Sequence, residues 1–155
     1  MSEPNKPFDK ALTNKILQLH KLLKEPFEVT VTGRSMNPLL YDSDIITVQP
    51  LDDYNIGDVL VFNFQDNELL THRLLLKENG VYFCKGDNVY RLEEVTAEQI
   101  IGKVISVNGK PLPTCPNRLI EMSLAVSQQF QSLGRNVKLT KETEEYKLYQ
   151  KIFLT

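Results

Sequence analysis

The chain has 155 residues, 41% of them hydrophobic and 25% charged, with a formal net charge of −2. That is enough sequence to bury one core, and it lacks both the run of about 18 apolar residues that a spanning helix needs and the basic excess of a broad nucleic-acid face. The polar, mixed-charge N-terminus has no apolar stretch of the secretory kind behind it, and Cys84 and Cys115 fit no metal-ligand spacing, so a cytoplasmic setting with two free thiols is expected.

In chain order, Phe8, Ala11, Leu12, Ile16, Leu19, Leu22 and Leu23 recur at three- and four-residue steps with lysines between them. This predicts an amphipathic helix over 8–24, started by Pro7 and stopped by Glu25-Pro26. Its leucine face is expected to dock on the core, with peripheral contact to a membrane or partner as the alternative. From Phe27 to Val107 the pattern becomes short β-type runs at 28–32, 45–49, 59–64, 69–76, 81–85 and 100–107, separated by turn clusters such as Tyr41-Asp42-Ser43-Asp44 and Asn55-Ile56-Gly57-Asp58. Asn79-Gly80 between two such runs is the strongest hairpin signal. The expected fold is mainly β, an antiparallel barrel or sandwich. After Val107 a Pro- and Gly-rich linker leads to a helical pattern over 117–133 with Gly134 as its cap, and the charged tail 138–155 reads as a last short helix. The chain divides on this reading into an N-terminal helix (1–26), a β-domain (27–107) and a helical extension packed on the same core (108–155).

Ser35 lies in Gly33-Arg34-Ser35-Met36-Asn37-Pro38, directly after a β-run and before a turn-rich stretch. Glycine permits a sharp turn and Pro38 stiffens its exit, which suits a nucleophile loop and equally suits an ordinary tight turn. A serine nucleophile needs a base, and the chain has only two histidines. His20 reads as a boundary residue of the first helix. His72, in Leu69-Leu70-Thr71-His72-Arg73-Leu74-Leu75-Leu76, shares a strand face with Leu70, Leu74 and Leu76 by period-two alternation, as a base or as a satisfied core histidine. A carboxylate to orient it is offered by Asp87, in Lys85-Gly86-Asp87-Asn88, or by Glu93; both have bland readings, a turn-former and a solvated acidic residue.

Taken together, Ser35-Met36-Asn37-Pro38, Tyr54 to Phe62, Thr71-His72-Arg73, Lys85-Gly86-Asp87-Asn88 and Ile101-Gly102-Lys103-Val104 resemble, in order and spacing, the signal peptidase clan of serine proteases. This is the S24/S26 type, with the fold shared by LexA-type repressors and signal peptidases. The closer likeness is to its histidine-using branch, since other members carry a lysine where this chain has His72. The resemblance implies Ser35 as nucleophile, His72 as base and then acid, Asp87 ahead of Glu93 as the orienting group, and Gly33, Arg34 and Met36 at the oxyanion or substrate site, without a cofactor or metal. It implies a serine endopeptidase that cuts an extended segment of a precursor protein or peptide.

Three departures stand out. Gly33 occupies a position where many signal peptidases have a serine, Arg34 replaces the usual glycine before the nucleophile, and the 8–24 helix stands where they have a membrane anchor. These imply backbone oxyanion donors, an altered substrate preference, and substrates other than translocated secretory proteins. The alternatives are a catalytically idle peptide-binding module of the same fold and a LexA-like self-cleaving regulator. The latter is disfavoured by the histidine, by the shortness of the segment ahead of the β-domain and by the lack there of an Ala-Gly or Cys-Gly pair. Cysteine catalysis by Cys84 is a further alternative, although its strand-like surroundings favour a core thiol.

Overall fold

The structure, a computed structural model, describes residues 7–65, 68–89 and 91–133. The tail helix expected over 138–155 and the Gly134 cap lie outside the described residues. In order, the elements are α1 (Pro7–Leu23), β1 (Phe27–Thr30), β2 (Ile45–Gln49), β3 (Val59–Asn63), β4 (Leu69–Glu78), β5 (Val81–Lys85), β6 (Glu93–Thr96), a 3₁₀ turn (Ala97–Gln99), β7 (Ile100–Val107), β8 (Lys110–Pro111) and α2 (Asn117–Leu133). The strands form one curled antiparallel sheet in the order β1-β2-β7-β3-β4-β5-β6, with β8 paired to β7. The mainly β class, the N-terminal helix and the 117–133 helix all agree with expectation.

Local chemistry explains much of this order. Asn79 and Gly80 both have positive φ (49° and 77°), the pair of left-handed residues that a two-residue hairpin requires, and they set Glu78 opposite Val81. Val59-Leu60-Val61-Phe62 reads as unbroken apolar sequence because β3 is buried on both faces. Val59 and Val61 join Ile46, Val48, Ile101 and Leu40 on one side, while Leu60 and Phe62 join Leu74, Cys84, Val95 and Ile100 on the other. A bulge between Leu74 and Leu76 moves Leu76 out of the alternation expected for β4.

Helix α1 departs from expectation in the face it buries. Leu17 is in the core, whereas Leu12, Ile16, Leu19, Leu22 and Leu23, the predicted docking face, are exposed. Leu17 joins the core cluster of Phe27, Val31 and Met36, His20 tilts against Phe27 with ring centroids 5.4 Å apart, and Lys21 Nζ donates to the carbonyls of Ala97 (3.2 Å) and Glu98 (2.9 Å). Burying Leu17 is worth about 1.5–3 kcal/mol, enough to choose the docked face when the rest of the stripe finds no partner among the described residues. Lys24 closes the helix with φ 55°, ahead of Pro26. No described helix is long and apolar enough to cross a membrane.

Candidate active site

Ser35 sits on a turn fixed from both sides. Gly33 takes φ +87°, a conformation open to glycine, and its N–H donates to Asp42 Oδ1 at 2.8 Å. The Arg34 carbonyl accepts from Asn37 N and from Asn88 Nδ2, both at 3.1 Å, and the Ser35 carbonyl accepts from Asn88 N at 2.8 Å. Among the described residues nothing accepts the Ser35 N–H. Because the Arg34–Ser35 peptide is planar and trans, that N–H points away from the anchored carbonyl.

His72 stands opposite Leu60 across the β3–β4 pairing and is 5% exposed. The Phe62 ring meets it edge-on, centroids 6.1 Å apart, and so limits the imidazole's rotation. Ser35 Oγ lies 3.0 Å from His72 Nε2, and Glu93 Oε1 lies 2.7 Å from Nδ1. A carboxylate oxygen accepts, so Nδ1 carries the hydrogen and Nε2 is the acceptor for the serine hydroxyl. Sheet register produces this line: Leu74 pairs with Cys84 and Cys84 with Glu93, which sets the first residue of β6 two strands from β4 on the face that His72 shares.

Asp87, ranked ahead of Glu93 as the group facing His72, is engaged elsewhere. Its two oxygens accept from Arg73 Nε and a terminal Arg73 nitrogen, each at 2.9 Å, while the other terminal nitrogen donates to the Gly57 carbonyl at 2.8 Å. Both partners are almost fully buried, so this fork-to-fork pair ties the 86–88 loop to the sheet. The physical reason is register. Arg73 and Lys85 are opposite each other on the face away from His72, and two buried cations there require the carboxylate two residues on. Met36, grouped with the substrate-contacting residues from the sequence, has its side chain in the core, where its sulfur accepts the Asp87 N–H at 3.3 Å. Arg34 is exposed on the turn.

The sequence assigns no role to Gly86, Lys85 or Arg91, and the structure sets all three beside the site. Gly86 packs so closely that a Cβ would stand 2.6 Å from the Ser35 carbonyl oxygen and 3.1 Å from His72 Cδ2. Lys85 is buried with Nζ donating to the Gly86 carbonyl at 2.9 Å, and burial pulls its ammonium down to about 8 despite the nearby Asp87 and Glu93 carboxylates. Arg91 places its guanidinium 3.6 Å from Glu93 Oε2 and over the Phe64 ring. Cys84 has no exposed surface, and burial pushes its thiol far above the usual range, so it holds no nucleophile for His72.

The Peptidase S24-like family model matches residues 7–105, well over half of the chain. The chain belongs to the S24-like peptidase family. The matched span runs from α1 nearly to the end of β7 and takes in Ser35, His72, Asp87 and Glu93. No curated protein matches the chain closely enough to count as a relative.

Proposed function

We propose that the chain is a serine endopeptidase in which Ser35 attacks, His72 moves the proton and Glu93 orients and balances the imidazole. The observation that carries this reading is the continuous hydrogen-bonded line from Ser35 Oγ through both His72 nitrogens to Glu93. The Ser35 hydroxyl passes its proton to Nε2 as Oγ bonds the scissile carbonyl carbon, and Glu93 stabilises the imidazolium so formed. The free Ser35 N–H faces the developing oxyanion, a donor worth about 3 kcal/mol in acyl-transfer enzymes. His72 then returns the proton to the leaving amine, and water, deprotonated by the same nitrogen, releases the acid product. Gly33 lets the turn take this shape, and the adjoining β1 edge offers backbone groups to an extended substrate segment of a precursor protein or peptide.

Incubating the chain with a complex peptide mixture and sequencing the new termini tests the proposal. New termini that appear with the wild type and not with Ser35→Ala are expected; identical termini from both would assign the cleavage to something other than Ser35.

A further inference from the structure

Arg34 is the residue before the nucleophile, and its backbone is locked while its side chain is not. Its carbonyl is held by Asn37 and Asn88, and the next carbonyl is held by Asn88 as well, so the direction in which its Cβ leaves the turn is fixed. The guanidinium meets no partner among the described residues. The carboxylates of the neighbouring turn and of the site make other contacts: Asp42 with Gly33 N–H and the Ser43 hydroxyl, Asp44 with Tyr41 N–H, Asp87 with Arg73, and Glu93 with His72 and Arg91. Arg34 thus presents an exposed guanidinium without an ion-pair partner among the described residues, on the residue directly before Ser35.

We propose that Arg34 sets substrate choice by pairing with an acidic side chain of the substrate near the scissile bond. This inference rests on the reading of Ser35 as the nucleophile. The planar guanidinium fork matches a carboxylate in a way that a point charge does not, and a bound substrate covering the turn removes the water that would otherwise screen the pair. The same cation repels lysine or arginine at that substrate position, so selection comes from rejection as well as attraction.

The test separates binding from chemistry. Ser35→Ala protein is immobilised and panned against a synthetic peptide library randomised in Asp, Glu, Lys and Ala, beside the double variants with Arg34→Gln and Arg34→Glu. In parallel, wild type is treated with a serine-reactive phosphonate. The expected result is an enrichment of acidic over lysine peptides of about tenfold or more, abolished by Arg34→Gln, reversed by Arg34→Glu and diminished in high salt. Equal retention of acidic and basic peptides, or an acidic preference that survives Arg34→Glu, overturns the proposal. If Ser35 is labelled but no charge selection appears, the peptidase reading stands and the role of Arg34 falls. If selection appears without labelling, Arg34 recognises acidic peptides on a protein that does not cut them.

Discussion

Replacing Gly86 by alanine tests the contact that brings the serine turn and the histidine strand together. An added Cβ would stand 2.6 Å from the Ser35 carbonyl oxygen, 2.8 Å from Val89 Cγ2 and 3.1 Å from His72 Cδ2. The valine methyl can rotate aside, but the carbonyl is backbone, tied to Asn88 N at 2.8 Å, and His72 is held between Glu93 and Phe62. Reaching an ordinary contact near 3.4 Å requires the two segments to part by about 0.8 Å. The Ser35 Oγ to Nε2 separation of 3.0 Å then opens past the hydrogen-bond limit of about 3.5 Å. A displacement of that size costs on the order of 10²-fold in rate, whereas the strain costs only about 1–3 kcal/mol of stability. The assay is the second-order rate of phosphonate labelling, measured beside thermal unfolding so that rate and folding are read separately. A folded Gly86→Ala protein that labels at the wild-type rate would show that this contact does not set the Ser35–His72 distance.

The two carboxylates should fail differently when neutralised. Glu93→Gln removes the charge opposite the imidazolium and lowers the labelling rate by roughly 10²- to 10⁴-fold with little change in unfolding, while Asp87→Asn strands the buried Arg73 and costs about 3–5 kcal/mol of stability in denaturant titration. The opposite pattern would restore Asp87 as the orienting group. Lys85 makes a pH prediction: its folded value of about 8 lies below the ordinary 10.5, so between those limits the unfolded chain holds more protons and stability rises with pH. Relative to Lys85→Met, the wild-type unfolding free energy should therefore gain about 3 kcal/mol between pH 8 and 10.5, and a flat difference would show that the ammonium is not desolvated. In α1, Leu17→Ala should cost about 2–4 kcal/mol and Leu22→Ala less than about 0.5 kcal/mol, by denaturant midpoint. Equal losses would mean that the leucine stripe is covered in solution.

The elements that announce themselves by composition were legible in advance. The apolar runs of β2, β5 and β7 and the helix over 117–133 take the expected bounds, and Asn79-Gly80 makes the hairpin it signals. Strand β6 was not legible, because Glu93-Glu94-Val95-Thr96 opens on two acids and reads as solvated surface. Its alternation does place Glu93 and Val95 inward, and a glutamate at an inward position demands a partner, which is the signal that could have pointed to His72. The choice between Asp87 and Glu93 lies beyond sequence spacing, since it is made by cross-strand register and by the need of Arg73 and Lys85 for a counter-charge. The docked face of α1 departs from its leucine pattern because tertiary contact, and not periodicity, selects it. The predicted stripe passes over Leu17, the one leucine that the sheet accepts.

Covalent labelling reads whether Ser35 is an activated nucleophile without knowledge of the substrate. Treating wild type, Ser35→Ala and His72→Ala with a phosphonate and mapping the adduct by mass spectrometry should place one modification on Ser35 in the wild type. There should be none in Ser35→Ala, and a rate lower by at least about 10²-fold in His72→Ala. Equal labelling of all three, or a folded wild type that is never modified, would contradict the nucleophile assignment.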